Sequence, residues 1–435
     1  MSVQPRTDEV NIDLSASGET APPSTGVGVL AGYVRDYATR VRGGETGSIP
    51  AVLGLLVLVI FFAIVHQGFL SAYNVEALIV QAAPIIVMAM GLVFVLLLGE
   101  IDLSAGTTGG MCAAIMAILL GRQHFSWPIS VVAGIVTGVV IGFATGWLRA
   151  KVGIPSFVIT LATFLGFQGI TLILIGGQGS IGVRNDVIIA LEGLNSKFVP
   201  IWAGWALLVV IVVGYAMLKL HDSYARRRDG LPAVPTVATL AKTVAIAVLG
   251  AIFVYVMGLD RTLIHNAFFH NAARGMPWSV VMIALLFVGL NFVLGRTRYG
   301  RHVYAVGGNE EAARRGGIQV NKVRISVFVI CSTLAAVSGI TAASELESVQ
   351  SNAGAQNTLL LAVGAAVIGG TSLFGGRGRM IDAILGGLVV AVIQNGMSAL
   401  ISGANSAGWE WIVTGLVLLL AAGFDAVARR VGSTT

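Results

Sequence analysis

Charge is what this chain is short of. Only 11% of its 435 residues are Asp, Glu, Lys or Arg, while 56% are apolar; soluble domains carry about 25% charged residues. With a mean hydropathy of +0.86, one or two soluble globular domains are excluded, and so is a disordered chain. Cysteine is nearly absent. Cys112 and Cys331 both sit in apolar runs, which excludes a disulfide framework and a paired-cysteine metal site. No Gly-Lys dipeptide occurs, so there is no Walker A loop for ATP, and neither an HExxH helix nor a GxSxG elbow is present. The six histidines are scattered, and no metal site is expected from them. Residues 1–49 lack the apolar core of a signal peptide. With Pro22, Pro23 and charges of both signs, they read as a polar, disordered tail.

What the chain has instead is long apolar runs. A spanning helix needs about 20 apolar residues. Runs of that order fall at 50–66, 75–98, 104–121, 127–148, 156–176, 199–220, 236–258, 277–295, 325–344, 357–372, 381–402 and 409–427. The fold class is therefore an all-α polytopic membrane protein of about twelve transmembrane helices, with 1–49 as a tail and 50–430 as the membrane domain. The runs at 104–121 and 357–372 are short and glycine-rich, which marks them as broken or re-entrant candidates.

Positive charge tests that count, because Lys and Arg are retained on the cytoplasmic side. With alternating spans and a cytoplasmic N-terminus, Arg122, Arg184, Lys197, Arg261 and Arg274 fall outside, and the other 22 of the 27 Lys and Arg fall inside. Both termini are then cytoplasmic. The net charge of +6 follows from this retention, and no nucleic-acid partner is expected. All seven tryptophans lie at or near span ends, where an indole prefers the interface. Gly134, Gly138, Gly142 and Gly146 recur every four residues and predict a smooth face for close helix packing.

Three connections carry chemistry. In the loop 296–324, Asn309 is a helix N-cap residue, Glu310 and Glu311 suit the first turn, and Arg314 and Arg315 suit the last. Gly316–Gly317 is the stop. The spacing predicts a two-turn helix in which Ala312 and Ala313 leave a small face, either for docking a partner or merely solvated. The turn holding Glu100, Asp102 and Ser104 places two carboxylates where each costs about 2.5–3.5 kcal/mol at mid-membrane. They either bind a coupling cation or cap the following helix. The segment 368–378, IGGTSLFGGRG, echoes that turn and hints at an internal repeat of the kind that brackets transport paths.

The segments GEIDLSAG (99–106), VGIPSFVITLATFLGFQGI (152–170), GRHVYAVGGNEEAARRGGI (300–318) and AAVIGGTSLFGGRG (365–378) resemble the signatures of bacterial monosaccharide ABC importer permeases of the ribose/xylose type. With WIVTGLVLLLAAGFDAVARR, the likeness covers nearly everything after residue 50, and the D-xylose branch shares the extra helix pair around ARRRDG (225–230). The resemblance implies a ten-helix core plus that pair and a permease homodimer in the bacterial inner membrane. It also implies a cytoplasmic ABC ATPase subunit and a periplasmic or lipid-anchored sugar-binding protein. ATP and Mg would bind the ATPase; this chain would be no enzyme and hold no cofactor. The stretch Asn309, Glu310, Glu311, Ala312, Ala313, Arg314 and Arg315 then matches the coupling helix. One departure is Leu359–Leu360–Leu361, where relatives carry an acidic Glu-Leu-Asp run.

A monosaccharide path needs donors and acceptors, since each unpaired hydroxyl away from water costs about 2 kcal/mol or more. The candidates are Gln81, Gln168, Asn291, Gln394 and Asn395, with Thr160 and Thr163 as hydroxyls. Bonding between helices is the plainer role for any one of them. The alternative function is an ion-coupled secondary transporter using Glu100 and Asp102, although sugar facilitators of that class carry a basic loop there. Another cargo within the ABC class is a second alternative, and a receptor or scaffold a third, disfavoured by the lack of a sizeable soluble domain.

Overall fold

A computed structural model describes residues 48–192, 198–230, 236–261, 274–355, 357–401 and 405–432. Residues 1–47 of the expected tail lie outside the described residues, as does Lys197. All twelve apolar runs are helical: α1 Ile49–Val65, α2 Ala72–Leu97, α3 Ala105–Gly121, α4 Trp127–Trp147 and α5 Ser156–Ile175; then, after a single turn (α6, Asp186–Ile189), α7 Ile201–Arg228, α8 Thr236–Gly258 and α9 Trp278–Arg296. Two short helices follow, α10 Arg298–Gly308 and α11 Glu310–Arg315. The chain continues through α12 Val320–Glu345, α13 Thr358–Gly369, α14 Met380–Leu400 and α15 Asn405–Gly432. Eight are long and apolar enough to cross a membrane, while α1, α3, α13 and the Gly408–Leu420 stretch of α15 are shorter. Local signals explain several starts. Ser71 caps α2 by accepting from the Asn74 amide, and α1 and α4 carry proline in their first turn, where its missing N–H is harmless.

The core is built on α2, α12 and α14, of whose apolar windows 83%, 56% and 61% are buried within the protein. Pro84 lies inside α2 and would loosen that helix. Here the Ser338 hydroxyl of α12 donates to the Pro84 carbonyl at 2.6 Å. The glycine face of α4 is a packing seam. A Cβ on Gly138 would lie 2.7 Å from the Ser332 carbonyl, and one on Gly146 2.8 Å from the Ile325 Cα.

The two halves of the core share a topology run in opposite directions. α2 leads through residues 98–104 to α3 and then α4; α12 leads through 346–357 to α13 and then α14. α12 packs on α3 and α4, and α2 on α13 and α14. α13 has 12 residues, about 18 Å of helix, and begins beside the start of α3: a Cβ on Gly106 would collide with the Gly354 carbonyl and lie 3.3 Å from the Leu359 Cβ. Both short helices are thus interrupted at their N-terminal ends, inside the bundle. The counterpart of the 98–104 turn is therefore the 346–357 loop rather than the 368–378 segment that echoes it in sequence, because only the former pair leads into an interrupted helix.

A two-stranded ribbon at the end of the core away from Arg324 was not foreseen. β1 (Ser180–Gly182) pairs antiparallel with β2 (Ser348–Gln350), Ser180 opposite Gln350. Around the periphery, α7 and α8 pack together and are tied to the core by Arg261. Its Nε meets Glu76 Oε2 at 2.6 Å, and its other nitrogens donate to the Met257 and Gly275 carbonyls.

Candidate functional site: an arginine-clamped turn and two interrupted helices

The four signature segments converge on one end of the bundle. After α2, Gly99 adopts φ +70°, a left-handed conformation that suits glycine, and turns the chain inward. Glu100 is 6% exposed and is held by two arginines. Arg149, in the π-helical turn that ends α4, places Nε 2.8 and 3.0 Å from its two oxygens. Arg324, in the second turn of α12 and itself 6% exposed, sits 2.9 Å from Oε1. Arg324 also donates through Nη2 to Glu310 of α11 at 2.8 Å. The turn between α2 and α3 is therefore joined to the two-turn helix through one guanidinium.

Asp102 takes a separate role. Its Oδ1 accepts from the Ser104 amide at 2.9 Å and the Ser104 hydroxyl at 2.7 Å, which folds residues 102–104 into the entry to α3; the Ser104 side chain makes no cap bond of its own. The two carboxylates thus part company, one to arginines and one to a local turn. The PSFVITLA segment braces the same turn, with the Ile101 amide donating to Ser156 Oγ at 3.5 Å and Thr160 Oγ1 reaching the Ile101 carbonyl at 3.4 Å.

α11 forms as its residues predict. Asn309 Oδ1 accepts from the Ala312 amide at 2.9 Å, and Arg314 pairs with Glu310 four residues earlier at 2.8 Å. The small face is narrower than expected: Ala313 is buried against the core, leaving Ala312 exposed between Glu311 and Arg315. The 365–378 segment closes the assembly. The Gly376 amide donates to the Leu97 carbonyl at 2.9 Å, and the Tyr304 hydroxyl of α10 donates to the Gly378 carbonyl at 2.7 Å. Burial raises the Tyr304 phenol pKa, with the nearby Asp382 carboxylate adding to the rise, so it stays a neutral donor.

The amides singled out for a sugar path have dispersed positions. Asn395 Nδ2 lies 3.5 Å from Gln81 Oε1, and Asn395 Oδ1 accepts from Asn74 at 2.8 Å; this chain fastens α2 to α14. Gln394 donates to Glu410 of α15 at 2.7 Å. Gln168 is half-buried and Asn291 exposed. The Thr160 and Thr163 hydroxyls donate to carbonyls within α5. None of these borders the cavity of about 150 Å³ that opens between α2, α3, α12 and the 346–358 stretch. Sequence reasoning missed that cavity and treated Arg149 and Arg324 only as topological charges. A sharper signal was available for Arg324, which with Lys322 stands at the start of a long apolar run.

These features define an all-α, multi-pass membrane protein with an exposed capped helix wired to its core. Comparison with known families matches residues 74–223 and 236–422 to the family described as branched-chain amino acid transport system / permease component, and the chain belongs to that family. It is 32% identical over 387 residues to the xylose transport system permease protein XylH of Escherichia coli K12, covering 87% of this chain and 91% of that one. The protein of the same name in Haemophilus influenzae is 33% identical over 87% and 96% of the two chains. The ribose import permease protein RbsC of E. coli K12 is 28% identical over 89% and 95%. The likeness to ribose/xylose-type permeases noted from four segments thus extends over most of the chain. No solved structure gives a significant match.

Proposed function

We propose that the chain is the membrane-spanning permease subunit of an ATP-driven ABC importer that carries a monosaccharide, D-xylose or a related pentose or hexose, across the bacterial inner membrane. The observation that carries this is the near full-length likeness to xylose and ribose permeases. In this reading the permease is a homodimer, its arginine-bearing end is cytoplasmic, and its partners are a cytoplasmic ATPase and a periplasmic or lipid-anchored sugar-binding protein. Residues Asn309–Arg315 form the coupling helix, with Ala312 in the ATPase groove. Nucleotide-driven closure of the ATPase provides the differential contacts that a conformational shift requires. The arginine wiring described above passes that shift from α11 to α12 and to the α2–α3 turn. An ion-coupled mechanism is less well supported, because Glu100 is already neutralised by Arg149 and Arg324.

Proteoliposomes test this. Uptake of labelled xylose or ribose is expected to need the ATPase, the binding protein and internal ATP together. Uptake by the permease alone under a proton or sodium gradient would overturn the proposal. Ala312→Trp is expected to leave expression and folding intact, since the position is exposed. The same change should abolish both uptake and co-purification of the ATPase. Normal uptake by that variant would refute the docking assignment.

A further inference from the structure

We propose that the cavity between the two interrupted helices is the permease's own monosaccharide-binding chamber. This rests on the importer reading and adds to it the residues that hold the sugar. Glycine lets the walls close up around the chamber: Gly106 and Gly110 on α3 and Gly339 on α12 border the space, and a Cβ on any of them would collide with the backbone of Gly354, Ala353 or Gly109 respectively. Its depth follows from α12. Ser338 lies seven residues, about 10 Å, below the end of that helix at Glu345, while the rim includes the exposed Leu346 and Gln350.

The chemistry of the wall selects a neutral polyol. Among the described residues no Asp, Glu, Lys or Arg borders the cavity, so none of them compensates an ion there. Asn352 and Thr358 are half-buried, and among the described residues neither side chain has a hydrogen-bond partner. An amide offers both a donor and an acceptor and a hydroxyl does the same, which is what a sugar hydroxyl needs on leaving water. Half-burial leaves both groups open to solvent, so a sugar hydroxyl would take the place of water as their partner.

Two helix starts lie at the same place. Gly106 and Thr358 lie in the first turns of α3 and α13, and neither helix has a side-chain cap. At α3 the neighbouring Asp102 takes the Ser104 amide, whereas Asn357 gives α13 no side-chain cap, so the first N–H groups of α13 are the ones left for another acceptor. The lining also includes Met88, Ala113 and Ala342, apolar side chains suited to the C–H face of a pyranose or furanose ring.

The test uses the assembled complex in proteoliposomes, reading labelled xylose uptake and ATP hydrolysis side by side. Asn352→Trp fills the chamber without entering the coupling helix. Uptake is expected to fall about tenfold or more while hydrolysis persists, since losing a site's polar contacts commonly costs that much. Wild-type uptake and hydrolysis in this variant would overturn the chamber. Should both activities vanish, Asn352→Ser with Thr358→Val gives the decision at little change in volume. That pair should weaken uptake several-fold at unchanged melting temperature, and unaltered uptake would refute the assignment. A third readout is alkylation of Asn352→Cys in a background lacking Cys112 and Cys331. Excess xylose should slow it in the intact complex, and equal rates with and without sugar would count against the proposal. An importer that shows no ATP dependence even in the wild type would refute the broader reading instead, so the two failures are separable.

Discussion

Arg324→Ala is expected to destabilise the protein by about 3 kcal/mol, because removing one partner from a buried ion pair leaves the other charge less fully compensated. The residue left behind is Glu100, buried at 6% exposure and still paired with Arg149, which keeps the loss at the lower end of the usual range. Thermal melting in detergent measures it, and an unchanged melting temperature would remove the clamp from the account. The double variant Glu100→Gln, Arg324→Met should lose less than the two single losses added together, since neighbouring charges couple. Glu310→Ala separates stability from coupling. Glu310 is partly exposed, with 39% of its side chain accessible, so its removal should cost about 1 kcal/mol or less. If the Arg324–Glu310 contact carries motion, uptake should nevertheless fall while the ATPase still co-purifies.

The second large effect is steric. Gly142→Leu is expected to abolish folded expression, because its Cβ would lie 2.6 Å from the Phe328 carbonyl oxygen and 2.7 Å from the Val329 Cα. Those are backbone atoms of α12 and cannot rotate aside, so the helices must separate; overpacking of this kind costs roughly 1–3 kcal/mol and sometimes more. Gly166→Leu is the control. Gly166 is an exposed helical glycine with open space around its Cβ position, and its replacement should leave expression and monodispersity on gel filtration near wild type. Equal behaviour of the two variants would mean that the α4 seam is not a packing constraint.

Much of the architecture was legible because membrane helices announce themselves locally. Each of the twelve apolar runs is a helix, and two of the runs flagged as short and glycine-rich are the interrupted α3 and α13. α11 was legible for another reason: Asn309, the Glu pair, the Arg pair and Gly316 each act within one turn of their own position. What could not be read were contacts set by distant chain. Glu100 and Arg324 are 224 positions apart and meet only because α2 and α12 are central partners. Ala313 and Ala312 are chemically identical, and only the packing of α11 on the core buries one and exposes the other. Asn395, named as a candidate on the sugar path, bonds Asn74 and Gln81, a pairing no local rule supplies. The Leu359–Leu361 departure also gains a place: Leu359 is buried beside Gly106, where an acid would have lacked water.

The 26 residues of α12 form a rod about 39 Å long, with Arg324 at one end and Ser338 and Gly339 near the other. A single rigid member therefore borders both the arginine clamp and the chamber wall. In mechanical terms it is a connecting rod: tilting its foot must displace its head, with no intervening joint to absorb the stroke. Under the proposed function, that construction sets a fixed gearing between nucleotide turnover and cargo movement. Leakage without hydrolysis, or idle hydrolysis without cargo, would then require the rod itself to bend.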